Sequence, residues 1–169
     1  MTASAPVAPS AAGWITDSPA RPGLASRVVA GALNIATGLA VVSSVIGIAV
    51  AQAIIARGVV VADANDVAML NALAPVTILF GLVGGLHVVA GFGILFASRQ
   101  AAALGIGLGV FDFVAGVVAL VVAAGSNGRY DGTGIAMTLV VLGIVLAVAS
   151  RIADYNTYGP LTTDEAAEA

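Results

Sequence analysis

Charge is what this sequence has least of. Only 9% of its 169 residues are Asp, Glu, Lys or Arg, against 60% hydrophobic, and its mean hydropathy is +1.08. A water-soluble domain carries roughly a quarter charged residues to cover its surface, so lipid must be the main solvent here. Cysteine is absent, which excludes disulfides, thiol catalysis and cysteine-ligated metals. Lysine is absent too, and the six basic residues are arginines scattered singly in a chain of net charge −3. Without a basic patch to neutralise phosphates, nucleic acid is excluded as a partner. With one histidine, His87, a single chain cannot build a bis-His haem site. Asp63, Asn65 and Asp66 lack the rest of a calcium loop. No nucleophile elbow, phosphate loop or metalloprotease motif occurs. The reading is of a protein that is not an enzyme and carries no metal or cofactor.

What the sequence does have is four long apolar runs, at about 28–56, 76–97, 101–124 and 134–150. Each is long enough to span a bilayer as a helix, the last barely so. The fold class is therefore all-α, a membrane-spanning four-helix bundle occupying residues 25–156. Residues 1–24, rich in Ala, Pro and Ser, lack the basic and apolar regions of a signal peptide and read as a disordered tail. Residues 157–169 read as a short acidic tail. Between the first two spans, Asn65 or Asp66 caps an expected short amphipathic helix that ends before Pro75. Spans two and three are joined only by Ser98-Arg99-Gln100, a tight antiparallel hairpin. Arg21, Arg27, Arg99 and Arg151 fall on one side and Arg57 and Arg129 on the other, so the positive-inside rule places both termini in the cytoplasm. Three boundaries on that side repeat one tripeptide, at Ala25-Ser26-Arg27, Ala97-Ser98-Arg99 and Ala149-Ser150-Arg151; each arginine is expected to snorkel to the headgroups. Abundant Ala, Gly and Val without lysine suggest a bacterial source, hence a multi-pass protein of the bacterial plasma membrane.

Each of the first three spans carries one polar residue in the same setting, with glycine three before and four after. These are Asn34 between Gly31 and Gly38, His87 between Gly84 and Gly91, and Asp112 between Gly109 and Gly116, with Gly105 extending the last stripe. Offsets of −3 and +4 share one helix face, and glycine lets another backbone approach that face. Glycine is common here, 21 of 169 residues, so one such frame means little; three of three argues that these residues face protein.

The hairpin supports a depth calculation. His87 lies twelve residues before Arg99 and Asp112 twelve after Gln100, so both sit about 18 Å from the turn, level with each other. They are expected to hydrogen-bond to each other inside the bundle as an intramembrane polar pair. Asn34, seven residues past Arg27, is placed nearer the cytoplasmic side, a helical turn or two from the pair. Two readings of the pair stand open at this point: helix glue that sets packing register, and a proton relay or substrate site.

The Gly-Leu-His-Val-Val-Ala-Gly segment from Gly85 to Gly91, with the chain's size and span number, resembles small four-span membrane proteins of high-GC Gram-positive bacteria, some grouped with DoxX-like proteins. The resemblance implies the four-span fold and carries no activity or site residue with it. The expected function is that of an accessory or scaffolding subunit in the lipid bilayer. It would associate with copies of itself or a larger membrane complex through its glycine-rich helix faces, Gly31, Gly38, Gly84, Gly91, Gly105, Gly109 and Gly116. The alternative is a small proton-coupled transporter using the His87–Asp112 pair.

Overall fold

The computed structural model describes residues 23–58, 63–125 and 133–159. Among them are four helices and no strand: α1 Leu24–Ala56, α2 Ala64–Leu95, α3 Arg99–Gly125 and α4 Thr133–Tyr158. All four are long and apolar enough to cross a membrane. Their outer surfaces carry large apolar side chains, with Phe96, Ile78, Val121 and Ile135 all prominently exposed. Such residues are stable facing outward only where the surroundings are hydrocarbon. This is a multi-pass membrane protein.

The helices outrun the apolar segments that announced them. α1 and α2, at 33 and 32 residues, would be about 50 Å long against a hydrocarbon core of about 30 Å. α2 does not break at Pro75 but runs through it, in place of the separate amphipathic helix expected before that residue. Proline removes one backbone donor and disfavours the helix without forbidding it. This helix also starts earlier than expected, which leaves Asp63 rather than Asn65 or Asp66 at its N-terminal edge, where the Asp63 carbonyl accepts the Val67 N–H. α4 continues past Ser150 to Tyr158, because a helix persists into the interface where polar side chains reach water. Leu24, and Thr157 with Tyr158, assigned above to the tails, are helical in α1 and α4; residues 1–22 and 160–169 of those tails, Arg21 among them, and Arg129 lie outside the described residues.

The turn between α2 and α3 is Phe96-Ala97-Ser98. The Ser98 N–H returns to the Gly93 carbonyl and the Ala97 N–H to that of Ile94, the paired bonds of a Schellman stop. Ala97 takes the left-handed φ of +59° that glycine usually supplies there. Ser98 then caps α3 by accepting the Ala101 N–H at 3.3 Å.

Glycine sets the packing, and it does so within two pairs of helices. A Cβ on Gly31 would lie 2.8 Å from the Gly91 carbonyl oxygen, and one on Gly38 2.5 Å from that of Gly84. The glycine before Asn34 thus faces the glycine after His87, and the reverse, so the two antiparallel frames interlock. On the other side a Cβ on Gly109 would meet Gly143 and Ala147 backbone, and one on Gly116 that of Ala136 and Val140. α1 is zipped to α2, and α3 to α4, by backbone-to-backbone approach. The seven glycines expected to offer faces to partners therefore lie against this chain's own helices, Gly105 included, whose Cβ would strike Ser150.

The two pairs meet along only part of their length. Toward the end holding the α2–α3 turn and the described chain ends, here the terminal end, all four helices contribute to a small core of Ala30, Ile94, Ala101, Ala102 and Ala153. Toward the opposite, loop end, α1 has no fully buried residue after Gly38.

Candidate functional site

The polar residues of the spans gather where the two pairs meet. Asn34 of α1, His87 of α2 and Ser150 of α4 are 0% exposed and Asp112 of α3 is 6% exposed, so every helix contributes a polar side chain to this interior cluster, with Thr37 of α1 buried one turn away. His87 Nε2 lies 3.1 Å from Asp112 Oδ2, and His87 Nδ1 lies 3.1 Å from Asn34 Oδ1. The Asn34 amide nitrogen donates to the Ala30 carbonyl at 3.0 Å and to Ser150 Oγ at 3.3 Å. The structure brings His87 and Asp112 together at the level the hairpin count predicts, but without the aligned hydrogen bond expected between them.

Asn34 does not sit a turn or two away, as expected, but touches His87 directly. The depth estimate took Arg27 as a marker of the membrane edge. The glycine contacts between α1 and α2 set the register instead, and they slide α1 so that Arg27 is drawn inside, only 9% exposed. Of the three arginines expected to snorkel, this one is enclosed.

The hydrogen bonds constrain where protons lie. A backbone carbonyl only accepts, so the Asn34 atom facing Ala30 is its NH2 and the atom facing His87 is its oxygen. His87 Nδ1 must then carry a hydrogen. That leaves Nε2 toward Asp112. At 3.1 Å, an imidazole lone pair facing an ionised carboxylate would be repulsive, so the contact needs a proton on one atom or the other. Imidazolium with carboxylate, and imidazole with carboxylic acid, both satisfy it and both leave the pair without net charge, as a low-dielectric site demands.

This contact is not a well-formed hydrogen bond. Its distance is right, but the oxygen lies off the axis on which Nε2 can bond, and Nε2 is left without an aligned partner. Distance governs the electrostatics and alignment governs the hydrogen bond, so we treat the pair as charge-coupled and imperfectly bonded. Asp112 keeps the pair's only exposure, 8% of its side chain against none for His87.

Sequence reasoning missed Ser150 and a second cluster at the terminal end. Asp154 Oδ2 accepts from Arg151 Nη1 at 2.8 Å, and Arg99 Nε stands 3.8 Å from Asp154 Oδ1. Tyr158 donates its hydroxyl to the Ala97 carbonyl, and the Arg99 guanidinium lies over the Tyr158 ring, 5.6 Å from its centre. The repeated Ala-Ser-Arg tripeptide hinted at these positions, yet its three serines do different things: Ser26 donates to the Gly23 carbonyl at 2.9 Å, Ser98 caps α3, and Ser150 joins the central network. No group of three or more His, Cys, Asp and Glu side chains suited to a metal occurs among the described residues.

No protein-family model, curated protein or solved structure matches the chain.

Proposed function

We propose that the chain is a small proton-coupled transporter in which the His87–Asp112 pair holds the coupled proton and the two glycine-zipped helix pairs are the parts that move. The observation that supports this is the position and state of His87 Nε2: buried, 3.1 Å from a carboxylate across the joint between the pairs, and without an aligned bond. A purely structural polar network is expected to satisfy all its members; here the two titratable members are the imperfectly satisfied ones. Asn34, itself bonded to Ser150, holds the imidazole in place, and neither of the two ionises.

The coupling has a definite sign. With its proton the pair is uncharged and attractive, and α2 stays docked on α3. Without it, a carboxylate faces a lone pair in an apolar setting, and separation of the helix pairs relieves both the repulsion and the desolvation. Proton binding therefore favours the docked state. Because the chain has no cysteine, spin labels are readily placed at Ile46→Cys and Val121→Cys, both outward-facing positions. In liposomes the label separation is expected to grow from acid to alkaline pH, and Asp112→Asn, whose amide can still donate to Nε2, is expected to abolish that change while the protein stays folded. An unchanged pH response in Asp112→Asn would falsify the proton reading, and so would a native protein with no response.

A second reading, an accessory subunit of a larger membrane assembly or a homo-oligomer, draws on a different observation. From Leu39 to Ala56 α1 carries no fully buried residue; Val41 and Val45 pack against Gly84 and Gly81 of α2, and the rest of this half leaves a largely open face. The glycine faces, spent inside the bundle, no longer favour that reading. We further propose the bacterial plasma membrane as location with both termini cytoplasmic, on the arginine distribution, and a kinship with DoxX-like four-span proteins, on the Gly85–Gly91 segment.

A further inference from the structure

The arginines of the three Ala-Ser-Arg tripeptides, far apart in the chain, meet around one carboxylate at the terminal end. Asp154 Oδ2 accepts from Arg151 Nη1 at 2.8 Å, Arg99 Nε stands 3.8 Å from Asp154 Oδ1, and Arg27 of α1 lines the same small void as Asp154. Arg27 is 9% exposed, and its Nε is buried without a hydrogen-bond partner. Among the described residues the other acids are Asp63 and Asp66, at the loop end, and Asp112. Three positive charges therefore face one negative charge where partial burial makes an unbalanced charge costly. We infer that this cluster is a binding site for a lipid with two phosphates, a diphosphatidylglycerol, whose headgroup supplies the missing negative charge.

Depth, exposure and surroundings all fit such a headgroup. Gln100 lies twelve residues from Asp112, about 18 Å along α3. With that aspartate near mid-membrane, the cluster sits where a hydrocarbon layer of about 30 Å gives way to phosphates. The Arg99 and Arg151 side chains are 33% and 54% exposed, so they reach outward as well as toward Asp154. Guanidinium groups bind phosphate oxygens in pairs, and basic pockets between membrane helices hold headgroups of this kind. Arg27 stays enclosed and contributes charge rather than contact. Phe96 and Ile152, 82% and 48% exposed beside the arginines, offer an apolar flank for acyl chains. Asp164, Glu165 and Glu168 are the rival source of negative charge; the lipid is favoured because it satisfies the arginines and the apolar flank at once.

Native mass spectrometry of the full chain in detergent tests this, with diphosphatidylglycerol, phosphatidylglycerol and phosphatidylcholine of matched acyl chains as probes. One diphosphatidylglycerol per chain is expected to stay bound under activation that strips phosphatidylcholine, with phosphatidylglycerol between the two. Arg99→Gln with Arg151→Gln should weaken that binding about thirtyfold, corresponding to about 2 kcal/mol for two basic residues. Arg99→Lys with Arg151→Lys, which keeps the charge, should lose much less. Asp154→Asn removes the competing carboxylate and should tighten binding, whereas a cluster that only fastens helix ends gives no such gain. Should Asp154→Asn fold poorly, the contrast between the Gln and Lys pairs decides the matter alone. Equal retention of the three lipids overturns the site, as does equal binding by the Gln and Lys pairs. Displacement of the lipid by free pyrophosphate makes a soluble anion the ligand and overturns the lipid. Binding that appears only after residues 160–169 are deleted makes the acidic segment the occupant and overturns it too.

Discussion

At the scale of single residues, two positions show how much depends on one atom. His87 is fixed from one side only: Asn34 dictates the hydrogen on Nδ1, while Nε2 meets Asp112 at hydrogen-bond distance but out of line. The pair was legible in advance because a three-residue hairpin leaves little freedom in counting depth along two helices. Asn34's place was not, since it depended on the register of α1, which no turn ties to α2 closely. Ser150 was not legible either, because a serine in a membrane helix more often bonds its own backbone, as Ser44 does with the Ala40 carbonyl at 2.9 Å. The second position is Ala97. A non-glycine residue in the left-handed region costs about 1–2 kcal/mol, and Ala97 has φ +59°. Ala97→Gly is therefore expected to stabilise the protein by about 1 kcal/mol, read as a higher melting temperature in detergent; a lower one would mean that the turn is not strained.

Among the elements, glycine decides which helices are partners. Contact between α1 and α2 is backbone against backbone, so even one added methyl must push the pair apart. Gly38→Ala, whose Cβ would lie 2.5 Å from the Gly84 carbonyl oxygen, is expected to cost about 1–3 kcal/mol. Gly107→Ala, whose Cβ meets nothing within 4 Å, should be neutral or slightly stabilising. Comparing the two variants by thermal unfolding separates packing from helix propensity, and equal losses would contradict the zipper. The glycine frames themselves could be read from spacing. What they faced could not, because a −3/+4 stripe says that a backbone comes close without saying whose. The frames of Asn34 and His87 turned out to face each other, and that of Asp112 faces α4, whose own sequence has no such frame.

For the whole molecule, the division into two zipped pairs matters more than the count of four helices. Joined by a polar knot and an alanine layer, the pairs leave α1 without a fully buried residue after Gly38, which suits a body that rocks about its joint. The accessory-subunit reading makes a different demand on the same feature: a partner chain must cover α1 from Leu39 onward. Native mass spectrometry of the protein extracted in lipid discs from its own membrane is expected to give a single chain if the transporter reading is right. A stoichiometric companion protected from crosslinking or labelling along Leu39–Gly58 would instead favour the subunit reading.

Composition alone settled that this chain lives in a bilayer, because so few charges cannot clothe a surface in water, and local spacing settled that its helices would pack through glycine. Tertiary structure alone decided that the glycines are spent within the chain, that Asn34 and Ser150 complete the His87–Asp112 site, and that Arg27 turns inward. The reason is physical: burial and hydropathy add up along a sequence, whereas register and the choice of helix partner depend on contacts between backbones far apart in it.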